Sequence, residues 1–171
     1  MKTTLNQIRE QSPCSDGWTK LLKNLGKTGP DDAPLSIITI LDSNGLDDAL
    51  WCLRAVKDQD REIRLYAVWC ARQVQHLMTD PRSIEALDVA ERFANGDATD
   101  SELDAAWAAA GAAAWAAARG AAGAAAGASA WAGAGAAAGA VAGAAARAAA
   151  GAAQSQKLRD VCTRIDSMVF V

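Results

Sequence analysis

The stretch WAAAGAAAWAAARGAAGAAAGASAWAGAGAAAGAVAGAAARAAAG, from Trp107 to Gly151, decides the fold: it is an ice-binding helix, a membrane span, a disordered spacer or a packed helical scaffold. Every fourth position from 107 to 151 carries a marker among the alanines, in the order Trp, Gly, Trp, Arg, Gly, Gly, Trp, Gly, Gly, Gly, Arg, Gly. Gly120, Ser129, Gly133 and Val141 are the departures. An α-helix advances about 100° per residue, so a step of four overshoots one turn by about 40°. The markers therefore leave any one face after about three repeats. One helix over residues 105–153 would be on the order of 73 Å long, far longer than a domain of this size. Each interior glycine costs roughly 1 kcal/mol relative to alanine, and seven of the nine lie between 120 and 143. The densest patch, GASAWAGAG (127–135), is the expected turn between two antiparallel helices at roughly 100–126 and 136–167.

Composition separates the four alternatives. Residues 105–153 contain 33 Ala and no Thr, whereas an ice-binding helix needs a regular threonine array. Residues 120–146 are uncharged and longer than the roughly 20 residues a span requires. Alanine and glycine are only weakly hydrophobic, however, and one Trp and one Val add little to them. The polar and charged residues of disordered chains are missing. Packed helices are the expectation. Nothing protrudes from Ala and Gly to hold such helices apart, and each Trp can supply apolar area that alanine lacks.

Working outward, residues 105–153 hold no Leu, Ile or Phe, so the usual core formers sit in residues 1–104 and 154–171. The 171 residues suffice for a single helical domain. Its expected parts are conventional apolar-core helices over 1–98, an Ala/Gly/Trp helical hairpin over 99–153 and an amphipathic helix over 154–171. Residues 1–104 carry a net charge of −6 within a chain total of −3. That balance disfavours direct nucleic-acid binding, which requires clustered cations. Cys14, Cys52, Cys70 and Cys162 show no C-x-x-C spacing, and the N-terminus carries no signal-peptide pattern. They read as reduced, mostly buried thiols of a cytoplasmic protein.

Helical signals dominate elsewhere too. Ser15-Asp16 opens a helix that Gly26 stops. Asp32 caps the next, with Pro34 in its first turn. The following run, LSIITIL (35–41), is β-branched enough for a strand, but nothing else in the chain offers a partner, so helix is preferred. DSNG (42–45) breaks the chain before LDDALWCLRAV resumes helical spacing. Asp58 to Asp60 cap a helix from Arg61 to about Met78, with Ile63, Leu65, Val68, Trp69, Val74 and Leu77 on its apolar face. Thr79 or Asp80 before Pro81 starts another, ending near Asn95-Gly96. Thr99-Asp100-Ser101-Glu102 is a capping box. In the tail, Leu158, Val161, Cys162, Ile165 and Met168 face inward. Two octapeptides, ALWCLRAV (49–56) and AVWCARQV (67–74), match at an offset of 18 and suggest a duplicated helix. Two copies are too few for a solenoid.

Catalytic chemistry finds little support. His76 is the single histidine, and no motif places a nucleophile or carboxylate beside it. Arg72 lies one turn before it and Asp80 about one turn after, a polar edge that also suits a structural network. The cysteines lack metal-ligand spacing. The glycines of the tract follow no strand, which removes phosphate-loop and dinucleotide fingerprints. Lys20, Lys23 and Lys27 line one side of the Trp18 helix, as a solvated face does. No enzyme activity, cofactor or metal is expected.

The segment 64–103, RLYAVWCARQVQHLMTDPRSIEALDVAERFANGDATDSEL, followed by an Ala-rich tract, resembles a group of bacterial and phage proteins described as immunity proteins, the partners of polymorphic toxins. The upstream LDSNGLDDALWCLRAV does so too, and the resemblance covers roughly residues 34–153. It implies an all-helical domain that binds and neutralises a protein target, a toxin or a defence-system component. The chain's own helical signals predict an all-α, irregular helical bundle or superhelix, and its weakly hydrophobic tract no membrane association. The alternatives are a phage-encoded, anti-CRISPR-like inhibitor of host defence, and a structural protein that self-associates through the Ala/Gly helices. Arg72, Gln73, His76, Asp80 and Arg82 are the expected partner-binding residues. If the tract is packed, Gly123→Leu or Ala117→Leu destabilises by about 1–3 kcal/mol through overpacking. An unchanged melting temperature would show that it is not.

Overall fold

The computed structural model describes residues 1–112 and 135–168, the latter as backbone alone up to residue 146. Among these the fold is all-α, in eight helices with almost no strand. Backbone contacts group the chain into two compact units, Met1–Ile63 with Ala150–Val171, and Arg64–Ala149. The expected turn at 127–134 and the positions Ala117 and Gly123 lie outside the described residues.

The first unit contains α1 (Leu5–Glu10), α2 (Ser15–Asn24), α3 (Ile37–Asn44) and α4 (Leu46–Cys52). A 3-10 turn over Leu53–Ala55 follows. One strand pair corrects the sequence-based expectation. Lys2–Thr3 (β1) runs antiparallel to Leu35–Ser36 (β2), pairing Lys2 with Ser36 and Thr3 with Leu35. The start of the β-branched run thus has a partner after all, at the very beginning of the chain. Consequently Ser36, not Asp32, caps α3, its side chain accepting from the Ile38 N–H at 3.2 Å. The buried Thr3 hydroxyl donates to the Ala55 carbonyl at 2.7 Å, tying this pair to the end of the 3-10 turn.

Helix α3 stops where DSNG was expected to break the chain. Gly45 adopts φ 98°, ψ 179°, a conformation essentially reserved for glycine, and α4 starts at once. The exposed carbonyls at the α3 end are met by α2: Lys20 Nζ donates to Asn44 at 2.7 Å and Asn24 Nδ2 to Ser43 at 2.9 Å. Lys20 thus serves as a helix cap and Lys27 pairs with Asp31, so neither stands as an unpaired solvated charge.

The core of this unit is closed by α8 (Gly135–Met168). Leu158, Val161, Cys162 and Ile165, spaced 0, 3, 4 and 7, are all buried and form one helical stripe. They share the interior with Leu5, Ile8, Leu21, Ile37 and Ile40. Ion pairs flank the stripe, Arg159 with Asp42 and Arg164 with Glu62 at 2.7 Å, and the Met1 amino group lies 3.0 Å from Asp166. Met168 departs from expectation: it lies one helical turn beyond Ile165 and is 64% exposed. Helix α8 matches the expected 136–167 closely, and residues 154–168 are its continuation.

The second unit holds most of α5 (Asp60–Arg72), α6 (Pro81–Asn95), α7 (residues 100–112) and the first part of α8. Asp80 caps α6 with Pro81 in its first turn, and Gly96 ends it in the left-handed conformation at φ 83°. The capping box forms as expected: Glu102 N–H donates to Thr99 Oγ1 at 3.2 Å, and Thr99 N–H to Glu102 Oε2 at 2.8 Å. Helix α5, in contrast, ends at Arg72 rather than near Met78, and a 3-10 turn occupies Gln75–Leu77. Val74 and Leu77 consequently leave the apolar face to which their spacing assigned them, and are 45% and 69% exposed. Trp107 does not bury its indole either, at 68% exposed, and among the described residues nothing lies within 4 Å of a Cβ built at Gly111 or Gly151. All four cysteines are free; Cys52 and Cys162 are buried, Cys70 half-buried and Cys14 exposed.

The α8 stripe makes a direct stability prediction. Leu158→Ala, at a fully buried position, lowers unfolding stability by about 2–5 kcal/mol in denaturant titration. Met168→Ala stays within about 0.5 kcal/mol of the parent.

Candidate functional site

The five expected partner-binding residues fall on one edge of the second unit, at the end of α5, its connection to α6 and the α6 start. Their chemistry divides. Arg72, in the last turn of α5, donates to Gln75 Oε1 at 3.0 Å and to Asp88 Oδ1 at 2.9 Å, and also pairs with Glu91. The Glu91 and Asp88 carboxylates raise its pKa further, so the guanidinium clamps α5 to α6 as a fixed charge. Gln73 Nε2 returns to the Trp69 carbonyl at 3.1 Å, covering the end of α5.

Asp80 works entirely at the α6 start. Its Oδ1 accepts from the Arg82 N–H at 3.0 Å, and its two oxygens accept from Arg82 Nε at 3.0 Å and Nη2 at 2.7 Å. The Arg82 side chain, followed by its backbone N–H, holds the Asp80 carboxyl down at about 2. An Arg72–His76–Asp80 network is therefore not formed, because Arg72 and Asp80 are each engaged elsewhere. His76 stands exposed on the 3-10 turn.

Sequence reasoning missed the apolar part of this edge. Val74 and Leu77 flank His76 on a connection whose backbone is fixed by N–H bonds from Val74 to Ala71 (3.1 Å), Leu77 to Val74 (2.9 Å) and Met78 to Gln75 (2.9 Å). Residues 61–80 contain no Gly or Pro, so no residue announces the early end of α5. Arg64 over the Phe93 ring, 4.9 Å from its centroid, and Arg92 with Glu102 at 3.7 Å brace the same unit from other sides. A shallow apolar groove of about 490 Å³ lies elsewhere on it, lined by Val68, Ala86, Leu87, Trp107 and Gly111 among others.

Among the described residues, no three His, Cys, Asp or Glu side chains gather to hold a metal ion, and no helix is long and apolar enough to cross a membrane. Comparison of the chain with protein-family models, curated proteins and solved structures gives no match.

The Asp80 contact carries a pH signature. Its folded pKa is depressed from 3.8 to about 2, so its stabilising contribution is fully present above 3.8 and is lost as pH falls through about 2. Carboxyl NMR titration should place the Asp80 midpoint near 2. In Arg82→Ala the midpoint moves up towards the ordinary carboxylate value, leaving only the backbone bond.

Proposed function

We propose that the chain is a non-enzymatic protein that binds and neutralises another protein, a toxin or a defence-system component, through the α5–α6 connection. One observation carries this reading: two aliphatic side chains, Val74 and Leu77, are exposed on the same connection as His76, whose backbone is held by hydrogen bonds. Exposing them gains the isolated chain nothing. A fixed backbone removes the ordering cost that a loop otherwise incurs on binding. Apolar anchors ringed by polar groups are the usual composition of an interface centre. Arg72, Gln73, Asp80 and Arg82 then act by shaping the connection, with Arg82 half-exposed at its rim. The resemblance of residues 41–56 and 64–103 to immunity proteins favours neutralisation as the purpose of binding, and a phage-encoded inhibitor of host defence would use the same surface.

A second reading, self-association, is favoured by the exposed Trp107 beside its apolar groove. Affinity capture from the producing cells, followed by light scattering of the pure protein, separates the two. Under the first reading a defined protein partner is recovered, and Leu77→Asp weakens its binding at least about tenfold while leaving the melting temperature unchanged, since Leu77 is exposed. A partner that binds Leu77→Asp as well as the parent would refute this surface. A stable homo-oligomer dissociated by Trp107→Ala, with no other partner, would establish the second reading instead.

A further inference from the structure

The first unit contains a cavity of about 200 Å³ among α1, α2, α3 and α4, remote in kind from the apolar edge just described. Two indoles, Trp18 and Trp51, line it, and two carboxylates, Asp47 and Asp48, stand with them. Its remaining wall is largely apolar, including Ile8, Leu21 and Ile40. Asn44 orients one carboxylate: its Nδ2 donates to Asp48 Oδ2 at 2.9 Å and to the Gly17 carbonyl at 3.1 Å. Gly17 permits the approach of α2 to this carboxylate, because a Cβ there would lie 3.3 Å from both Asp48 oxygens and 3.2 Å from Cys14 Sγ. Among the described residues, Asp47 and Asp48 form no ion pair, and Asp47 makes no side-chain hydrogen bond.

We infer that this cavity binds a small alkylated ammonium compound, such as one bearing a trimethylammonium group. The negative face of an indole attracts a cation, and an alkylated ammonium also gains from apolar walls, unlike a strongly hydrated one. Trp51 already shows this attraction outside the cavity, where Arg54, which does not line it, places its guanidinium 4.5 Å from the ring centroid. Two carboxylates exclude an anionic ligand by repulsion. The volume lies below the roughly 300–1,000 Å³ of sites for drug-sized molecules, which favours a compact group. Burial, and secondarily the Asp48 charge against an opposing Arg54 charge, pushes the Cys52 thiol up to about 12, so this cavity-lining residue is a neutral wall rather than a nucleophile.

Calorimetric titration of the full chain with choline tests this. The control is its uncharged carbon isostere, in which tert-butyl replaces trimethylammonium. Choline binds saturably in the millimolar range, at least about tenfold tighter than the isostere, and the indole N–H signals of Trp18 and Trp51 shift along the same isotherm. Asp47→Asn weakens binding about fivefold or more without lowering the melting temperature, because Asp47 is exposed and makes no side-chain bond to lose. Trp18→Leu weakens it as well. Equal binding of the isostere, absence of saturation by roughly 10 mM choline, or an unchanged affinity in Asp47→Asn would each overturn the inference.

Discussion

Closure of the first unit by the last turns of α8 is the interaction on which the structure depends. Leu158, Val161, Cys162 and Ile165 present one apolar stripe, buried in the same unit as Leu5, Ile8, Ile37 and Ile40. Burial of each large side chain contributes about 1.5–3 kcal/mol, whereas the exposed ion pairs of Arg159 and Arg164 contribute little each. The stripe therefore supplies the energy and the ion pairs fix the register. The β1–β2 pair serves the same end by anchoring the first residues, so that the N-terminal segment and the final helix meet in one interior.

Much of this was legible because helix signals are local. Asp80-Pro81, the Thr99–Glu102 box and Gly96 act through atoms within four residues of themselves, and each delimits its helix where expected. The inward face of α8 was readable from its period for a related reason, up to the last turn. What escaped depends on distant partners. Leu35–Ser36 is a strand only because Lys2–Thr3 lies beside it, and a two-residue pairing leaves no periodicity to detect. The end of α5 escaped because helix propensity continues through QVQHLM, while Arg72 is drawn to Asp88 and Glu91 on α6. Of the candidate edge, the charged residues were recognised, but the aliphatic pair was assigned to a core face by a helix that does not extend that far.

The paired octapeptides, alike at five of eight positions, show how context divides similar sequence. In ALWCLRAV the chain tightens into a 3-10 turn after Cys52, and Arg54 folds back onto Trp51, its Nε donating to the Trp51 carbonyl at 3.0 Å. In AVWCARQV the α-helix continues two residues past Cys70, and Arg72 reaches to another helix. Leu53, buried in the first copy, is replaced by Ala71 in the second.

The placement of the α8 stripe sets an order of events during synthesis. The first unit has most of its apolar residues by Ile63, yet its closing residues begin at Leu158. Translation at roughly 5–20 residues per second separates these by about 5–20 s. Through that interval the stripe that completes the unit is missing, whereas α6 and the start of α7 can form from their own caps as they emerge. The nascent chain thus lacks its closing stripe while residues 64–157 are made, and the alanine-rich tract at 105–153 accounts for about half of that wait.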